Sequence, residues 1–418
     1  MPPPRYYADL HTHSHHSRAT SPACTPEGLA HWAQLKGVSV CGTGDCTHPV
    51  WLRELRDKLT EDAPGLYALN PHLRDTASRG IPESCRAPVR FAVTGEISSI
   101  YQRDGKPRKV HSVILLPTLD AADRLNARLA RIGNIASDGR PILRLDPRDL
   151  LTLLLETDPR AALIPAHIWT PWFSMLGARS GFDSPAECFG DLAPHIFAVE
   201  TGLSSDAPMN HRIRSLDRLA LVANSDIHSP SNLGRNANIF FGTPSFDAMM
   251  NGLRAQDPAT CGGTVHLFPE EGKYHHDGHR ACRVRLTPEE SAAHRNLCPA
   301  CGKPVTIGVL HRVIELEQRQ STPTPSPTPP RLPHRHIIPL PELLAQRLGT
   351  APSSKAVKAA YAQTLALAGP ELPLLLDAPS ATLDTLDALG ESIRRVRQGH
   401  VIRESGYDGE YGTIRVLL

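Results

Sequence analysis

Short apolar runs in residues 1–250 are repeatedly followed by a carboxylate or an imidazole. The runs at 38–41, 91–94, 163–164, 197–199 and 221–223 come just before Asp45, Glu96, His167, Glu200, and Asp226 with His228. Helix-like segments separate several of the runs, and repeated strand–helix units of this length predict a parallel sheet closed into a β/α barrel. Because the C-terminal strand ends of such a barrel form one rim, these ionisable groups are expected to meet there.

Helices are predicted from their boundary residues. Thr25 is a suitable N-cap and Pro26 a suitable first-turn residue, so a helix is expected over residues 26–36. Similar patterns predict helices at 119–132, 147–156, 341–348, 354–367 and 388–398.

The chain has 418 residues, which is too long for one ordinary core and predicts two or three domains. Changes in composition divide it into a barrel domain at 1–260 with a surface insertion at 60–88, a His- and Cys-rich segment at 266–319, a Pro/Ser/Thr linker at 320–335 and a small α+β domain at 336–418.

Composition excludes several classes of protein. A net charge of +2 excludes a polycation as a whole, although 394–415 is Arg-rich; that enrichment suits phosphate contacts and is equally explained by genome bias. Nine scattered cysteines with one Cys-x-x-Cys pair do not resemble a disulfide framework and fit a reducing compartment. No signal peptide and no long apolar run is present, so a cytoplasmic protein without a membrane partner is expected.

A metal site is predicted at the opening strand, which ends in His11 and His13. Side chains at i and i+2 of a strand point to the same face and can chelate one ion, although such a pair alone is more often two surface histidines. The further groups at strand ends are Asp45 with His48, Glu96, His111, His167, and Asp226 with His228. Packing does not explain so many ionisable groups, since buried charges need partners. Two cations about 4 Å apart can activate a water and stabilise both oxygens of an in-line phosphoryl displacement.

A second, structural zinc site is predicted at His279, Cys282, Cys298 and Cys301. The spacing His-x2-Cys, fifteen residues, Cys-x2-Cys is typical of such sites, and Gly302 permits a tight turn after the last cysteine. The fourth ligand stays open at this point, because His275, His276 and His311 are alternatives to His279.

The order of the first set of motifs resembles the PHP (polymerase and histidinol phosphatase) family, which implies a distorted β/α barrel with two or three metals. The resemblance implies a first metal held by His11, His13, Glu96 and Asp226, a second held by Glu96, His111 and His167, and a third held by His228 with His48 or Asp45. It also implies catalytic roles for Asp226, Glu96 and Asp45.

The chain departs from the family pattern in two places. Gly-Asp-Cys-Thr-His replaces the usual Thr-Asp-His, and Arg18 falls where a further ligand is expected. His15 and His16 are alternatives for that ligand, but they are expected at the surface.

Longer stretches resemble the endonuclease Q family over nearly the whole chain. They are 17–21 (SRATS), 42–49 (GTGDCTHP), 137–143 (SDGRPIL), 164–173 (IPAHIWTPWF), 180–184 (SGFDS), 199–206 (VETGLSSD), 224–231 (NSDIHSPS), 268–275 (FPEEGKYH), 308–313 (GVLHRV) and 406–412 (GYDGEYG). The resemblance implies an endonuclease that nicks DNA on the 5′ side of hypoxanthine, xanthine, uracil and abasic sites. It further implies zinc, with Mg2+ or Mn2+ as alternatives for catalysis, a nucleoid location, and a replication sliding clamp as a partner besides DNA.

DNA-contacting residues are expected in three places. Trp169, Trp172 and Phe173 follow a proposed ligand in a chain otherwise poor in aromatics, so they are candidates for stacking on an extruded base; packing of the barrel rim explains them equally well. Arg18, Tyr407 and Tyr411 lie in stretches that resemble the family and are further candidates.

Two other functions stay open from the sequence. A small-molecule phosphatase of the histidinol-phosphate type would use the same metals, but it would not need the additional zinc segment and Arg-rich end. An inactive DNA-binding scaffold would not need the full ligand set.

Overall fold

A computed structural model of the chain describes residues 3–320 and 330–417. The strands of this part are β1 Arg5–Asp9, β2 Val38–Gly42, β3 Leu59–Ala63, β4 Leu66–Leu69, β5 Arg90–Arg103, β6 Lys106–Leu116, β7 Ile142–Leu143, β8 Ala162–Pro165, β9 Ala198–Glu200, β10 Ala220–Val222, β11 Ala237–Phe241, β12 Cys261–Leu267, β13 Asp277–His279, β14 Val284–Leu286, β15 His334–Ile337, β16 Val401–Glu404 and β17 Thr413–Val416.

The α-helices of the same part are α1 Pro26–Lys36, α2 Pro49–Lys58, α3 Pro71–Ala77, α4 Leu119–Leu129, α5 Pro147–Thr157, α6 Pro185–Phe189, α7 Ala207–Asn210, α8 Phe246–Ala255, α9 Pro288–Ala293, α10 Val309–Gln318, α11 Leu340–Leu348, α12 Lys355–Ala368, α13 Glu371–Asp377, α14 Ser380–Asp384 and α15 Asp387–Arg397. The six predicted helices agree with α1, α4, α5, α11, α12 and α15 to within three residues at each end. For α1 the cap is as predicted, because the Thr25 side chain accepts from the Gly28 N–H at 3.1 Å.

The strands close into a distorted barrel, which confirms the predicted fold class. β1, β2 and β5 pair in parallel, β6 pairs with β5 and β8, and β11 returns to pair with β1. The short sheet of β9 and β10 completes the ring. The Ile168 N–H donates to the Glu200 backbone oxygen beside β8, and the Ala223 N–H donates to Asn238 Oδ1 on β11.

The prediction of a parallel sheet is wrong, because β6 and β11 run antiparallel to their neighbours. The cause at β6 is the two-residue turn Asp104-Gly105, where both residues have positive φ, 54° and 71°. Such a turn joins adjacent strands as a hairpin. Because β6 runs back along β5, its residue His111 lies opposite Ser98, two residues beyond Glu96 on β5.

Residues 60–88 are not wholly a surface insertion, because Leu66–Leu69 is buried while most of 70–88 is exposed. They contain most of β3, all of β4 and α3, and β4 pairs with β5 at one edge of the main sheet. Leu66 is fully buried there. The Pro and Gly residues that indicated a loop lie in the turns and at the start of α3, while the apolar residues of β4 pack into the core.

The remaining elements lie against the barrel. β13, β14 and α9 form the segment with the predicted zinc ligands, and β16 with β17 forms a C-terminal hairpin. β15 pairs in parallel with β12 and begins at His334, inside the range that was predicted to be a linker. Residues 321–329 of that predicted linker lie outside the described residues. A buried ion pair between Lys36 of α1 and Glu371 of α13, at 2.6 Å, joins the C-terminal helices to the barrel. The predicted domain boundaries stay predictions.

Within the described residues, no helix is long and apolar enough to cross a membrane.

Candidate metal centre

The first group of ligands brings together four side chains from three parts of the barrel. His11, His13, Glu96 and Asp226 each offer one ligand atom, and these atoms lie within 4.8 Å of one another. His13 Nε2 lies 3.0 Å from Asp226 Oδ1 and 3.3 Å from Glu96 Oε2, and His11 Nε2 lies 3.5 Å from the same Glu96 oxygen. Residues distant in sequence thus meet at one point on the rim.

The second group shares Glu96 with the first. Its other carboxylate oxygen, Oε1, lies 2.7 Å from His111 Nδ1 and 3.2 Å from His167 Nε2, and the two ring nitrogens are 3.2 Å apart. Glu96 Oε2 faces the first group and Oε1 the second. One carboxylate therefore stands between two ligand sets, the arrangement that a bridged metal pair requires.

The donors fit divalent metal ions. His11 Nε2 is buried and has no hydrogen-bond partner, although it lies among carboxylates. A buried polar atom without a partner is costly, so its presence indicates a ligand that completes the site. Imidazole and carboxylate donors together suit zinc and related transition metals.

Each histidine of the H-x-H pair contacts a carboxylate through its Nδ1 atom. Glu200 contacts His11 Nδ1 at 3.0 Å, and Asp45 Oδ1 contacts His13 Nδ1 at 3.0 Å. Asp45 is itself fixed, because its Oδ2 accepts hydrogen bonds from the Ser14 and Ser17 hydroxyls at 2.6 and 2.9 Å. Such partners fix the ring orientation and leave the opposite nitrogen free for a metal.

The backbone is strained at three of these residues. Asp45, His167 and Asp226 have φ values of 49°, 29° and 48°, in the left-handed region that non-glycine residues rarely adopt. Each such residue costs about 1–3 kcal/mol and persists only where the surroundings hold it. All three residues lie just after a strand, Asp45 after β2, His167 after β8 and Asp226 after β10.

The ionisable groups of the centre shift one another's pKa values. Burial alone raises the pKa of Glu96, but His111 and Arg140 lower it well below its usual value, and His11 does the same for Asp226. Burial lowers the pKa of His11, but Glu200 and Glu96 raise it well above its ordinary value. The low pKa values of Glu96 and Asp226 and the raised pKa of His11 express the same close contacts between carboxylates and imidazoles.

Three predicted site residues lie outside the two groups. Asp45 faces His13 and the serine hydroxyls rather than the metal position, so a catalytic contact does not follow from its location. His48 caps α2 by accepting from the Trp51 N–H, and its Nε2 contacts the Ala136 backbone oxygen at 3.2 Å. The His228 ring lies 4.7 Å from the ring of His13, tilted by 49°, and its Nδ1 contacts the Asp226 backbone oxygen. Within residues 3–320 and 330–417, the ligands predicted for a third metal are therefore not grouped around one position.

Sequence reasoning missed two residues of the site. Glu200 was seen at a strand end but was not assigned to the site, and it holds His11. Arg140 lies in the 137–143 stretch, and its Nη1 approaches Glu96 Oε2 at 3.1 Å. An arginine in a loop carries no metal-ligand signal, so only the similarity of the surrounding stretch could have indicated it.

A cleft of about 450 Å³ opens over the centre. Its floor carries His111, His167, Asp226 and His228, and its walls carry Trp172, Phe173, Tyr274 and Tyr411 together with Arg235 and Lys273. Tyr411 is 64% exposed and Trp172 37% exposed, and both face this cleft.

The other predicted DNA contacts lie elsewhere. Trp169 is 1% exposed and donates from Nε1 to Asn210 Oδ1, so packing, the alternative reading, is right for this residue. Tyr407 lines a separate hollow beside His279, and Arg18 is exposed on the loop after the H-x-H pair. The prediction of stacking is therefore wrong for Trp169 and stays open for Trp172 and Phe173.

The predicted zinc ligands also come together. One ligand atom each of His279, Cys282, Cys298 and Cys301 lies within 4.8 Å of the others, and His279 Nδ1 is 3.5 Å from Cys301 Sγ. Burial raises the pKa of the Cys298 thiol, but the Ala300 and Cys301 N–H groups outweigh it and bring the pKa to about 7. A thiol that ionises this readily is a good zinc ligand.

Two of the three alternative fourth ligands, His275 and His311, are engaged in other contacts, and His276 is not among the residues grouped with the cysteines. His311 Nδ1 bonds to Asp277, and His275 Nδ1 contacts the Ser204 backbone oxygen at 3.5 Å. His279 is therefore the histidine that the fold places with the three cysteines.

Two uncharacterized proteins are similar to this chain in sequence. No family model matches the chain. An uncharacterized protein of Bacillus subtilis, YqxK, is 27% identical over 98% of this chain and 99% of its own length. The uncharacterized protein MJ0043 of Methanocaldococcus jannaschii is 30% identical over 59% of this chain, and the match spans only 31% of that longer protein.

Two crystal structures match the whole fold. One is the lesion-specific endonuclease PfuEndoQ from Pyrococcus furiosus, with a TM-score of 0.83 and 29% identity over 99% of this chain and 96% of that one. The chain has the endonuclease Q fold. The other is endonuclease Q in complex with a 27-mer duplex that carries an abasic lesion at the active site, with the same TM-score and identity over 99% of this chain and 97% of that one. The endonuclease Q resemblance predicted from the sequence is thereby confirmed, and these neighbours support a metal-dependent nuclease.

Proposed function

We propose that the protein is a metal-dependent DNA repair endonuclease that hydrolyses the phosphodiester on the 5′ side of a damaged nucleotide. The lesions are the deaminated bases hypoxanthine, xanthine and uracil, and abasic sites. The observation that carries the proposal is the pair of ligand groups joined by Glu96 at the floor of an aromatic and cationic cleft, in a chain with the endonuclease Q fold.

The cleft suits a nucleic acid strand better than a small phosphate ester. Lys273 and Arg235 line it and can contact backbone phosphates, while the aromatic walls offer faces on which bases stack. Lys273 Nζ already lies 4.5 Å from the centre of the Tyr411 ring, so a cation and a stacking surface are presented side by side. A small-molecule phosphatase would have no use for this combination.

The residues of the centre have separable roles. Bound metal ions in such a pair supply Lewis-acid stabilisation of the charge that develops on the phosphate and activate the attacking water. Glu96 and Asp226 provide the anionic charge that holds the cations, and Glu200 and Asp45 keep the ring nitrogens of His11 and His13 directed into the site. Arg140, whose Nη1 lies 3.1 Å from Glu96 Oε2, would hold a non-bridging oxygen of the scissile phosphate.

The same cleft gives an account of lesion recognition. Deamination changes one exocyclic group inside the base stack, and enzymes that read such a change usually extrude the nucleotide. Trp172 or Phe173 would stack on the extruded base or hold its neighbour. An abasic nucleotide would enter without that contact, since no base remains.

The zinc segment would have a structural part in this function. Its four ligands make a closed site, and closed sites of this kind stabilise folding rather than catalyse reactions. The identity of the ions in the barrel and a contact with a replication sliding clamp stay predictions.

The test is cleavage of end-labelled duplexes that differ at one nucleotide: deoxyinosine, deoxyuridine, an abasic site, or the undamaged base. One nick 5′ to each lesion and none in the undamaged duplex is expected. Hydrolysis of a small phosphate ester without nicking of any duplex would contradict the proposal. So would the absence of a DNA gel shift that weakens with salt, because phosphate contacts are salt-dependent.

A further inference from the structure

A third cluster of metal-ligating side chains lies outside the barrel centre, between the loop after the H-x-H pair and helix α2. A ring nitrogen each of His15 and His16 and a carboxylate oxygen of Glu54 lie within 4.8 Å of one another. All three residues are half-buried. This cluster has no part in the chemistry proposed above.

We propose that His15, His16 and Glu54 form a site for a divalent transition-metal ion of the zinc class. Two imidazoles and one carboxylate suit such ions, whereas Mg2+ and Ca2+ prefer sites built from oxygen atoms alone. A zinc ion with bonds of about 2.0–2.1 Å separates its ligand atoms by about 3.4 Å. Ligand atoms already within 4.8 Å reach that spacing by small side-chain rotations.

His15 is oriented as a metal ligand usually is. Its Nδ1 donates to the Cys24 backbone oxygen at 3.3 Å, which leaves Nε2 with a free lone pair, and this atom lies 3.8 Å from Glu54 Oε2. A backbone carbonyl on the far nitrogen is the common way in which proteins fix the tautomer of a ligating histidine. The other oxygen of Glu54, Oε1, pairs with Lys58 at 2.9 Å, so the carboxylate is held with Oε2 toward the imidazoles.

His16 supplies an independent observation. Its Nε2 is buried and has no hydrogen-bond partner. The ring is held by neighbours on two sides, because it stacks on His48 at 4.3 Å and lies 4.3 Å from the ring of His15. Trp51, fully buried on α2, presents its ring edge-on to His15 at 5.4 Å. A rigid imidazole with an unsatisfied nitrogen beside a second imidazole and a carboxylate indicates a bound cation.

An ion here would join the loop to α2, and hydrogen bonds lead from that loop to the barrel centre. The His16 N–H donates to Ser14 Oγ, the Ser14 hydroxyl donates to Asp45, and Asp45 holds His13. The expected consequence is a stiffer H-x-H segment rather than a new reaction. The proposal does not depend on the proposed function, since metal binding can be measured without DNA.

The experiment is equilibrium dialysis of the full chain against buffered free zinc, followed by elemental analysis. Glu54→Gln keeps the size of the side chain and should lower the zinc content by about one ion per chain. The double change of His15 and His16 to Ala should do the same. His72→Ala, an exposed histidine on α3, is the matched control and should leave the count unchanged.

Repeating the comparison in an Asp226→Asn background separates this ion from those of the barrel. The loss caused by Glu54→Gln should persist there. A zinc count unchanged by Glu54→Gln would overturn the proposal, and so would a loss that disappears in the Asp226→Asn background, because the missing ion would then belong to the barrel centre. Thermal unfolding in chelator should be alike for Glu54→Gln and the wild type, which excludes misfolding as the cause of a loss.

Discussion

The barrel centre and the zinc segment both gather metal ligands, but they are built in opposite ways. The ligands of the barrel centre are spread from His11 to Asp226, and those of the zinc segment lie between His279 and Cys301. His11, His13 and Glu96 are almost completely buried, whereas Cys301 is exposed. Assembly of the first site therefore requires the whole barrel, whereas assembly of the second requires only a hairpin and the tight turn of the Cys-x2-Cys pair.

The two sites also differ in how much buried apolar side chain surrounds them. The barrel ligands lie on strands or just after them, and these strands pack into the main core. The zinc segment has a separate cluster in which Leu286, Cys298 and Val305 are the buried residues. So small a cluster contributes little burial free energy, and structural zinc supplies folding free energy where a core is too small. Loss of a barrel ligand should therefore cost chemistry, and loss of a zinc ligand should cost local folding.

The largest effect is expected for Asp226→Asn. The change removes an anionic ligand and keeps the shape of the side chain, so nicking at deoxyinosine should fall about a thousandfold or more, as the loss of several kcal/mol of charge stabilisation requires. DNA affinity should stay close to wild type, because phosphate contacts dominate binding. The measurements are single-turnover nicking and a binding titration.

The matched control is Asp191→Asn, at an exposed carboxylate paired with Arg148 on the outside of the barrel. It should nick like the wild type. Wild-type nicking by the Asp226 variant would break the contrast between the two sites, because the barrel ligands would then be dispensable for chemistry.

The next effect is expected for Cys298→Ser. The zinc content should fall by about one ion per chain, and hydrogen exchange should accelerate within residues 266–319 while the barrel strands keep their protection. Unchanged zinc stoichiometry would show that Cys298 is not a ligand. Faster hydrogen exchange throughout the barrel would show that the zinc segment and the barrel unfold together, although their buried clusters are separate.

A smaller effect is expected for Trp172→Ala at the cleft wall. Stacking on a base contributes about 1–3 kcal/mol, so nicking at deoxyinosine should fall roughly ten- to a hundredfold. Nicking at an abasic site should fall less, and that substrate serves as the control. Equal losses on both substrates would favour packing of the rim over stacking.

The smallest effect is a pH dependence near the zinc segment. A hydrogen bond to Asp277 raises the pKa of His311 above its ordinary value. The stabilisation is fully present below the unfolded pKa, about 6.5, and is lost as the pH rises through the raised folded value. The thermal midpoints of wild type and His311→Gln should therefore differ more at about pH 6 than at about pH 9. A larger difference at the higher pH would contradict this assignment.

Local signals predicted part of this molecule well. Thr25, Pro26 and the apolar spacing placed α1 at its observed bounds, because capping and periodicity act within a few residues. Ligands directly after apolar runs likewise met at one rim. The hairpin of β5 and β6 was not predicted, although Asp104-Gly105 is a strong turn signal. The antiparallel direction of β6, which brings His111 to Glu96, was therefore not predicted either.

Other features depend on contacts that no local pattern contains. Trp169 and Trp172 lie three residues apart in one aromatic stretch, yet one is bonded to Asn210 in the core and the other lines the cleft. His48 was a plausible ligand by spacing, but its position at the start of α2 turns it to a capping role. Arg140 reaches Glu96 from a loop, and a lone arginine in a loop has no signature.

The most direct test of the central claim is metal-dependent incision of a duplex with a single abasic site. Wild-type protein should make one nick on the 5′ side of the lesion, lose this activity in EDTA, and regain it when Mg2+, Mn2+ or Zn2+ is restored, while circular dichroism shows the barrel folded throughout. Incision that continues in EDTA at full rate, or no incision with any of these ions, would contradict the account.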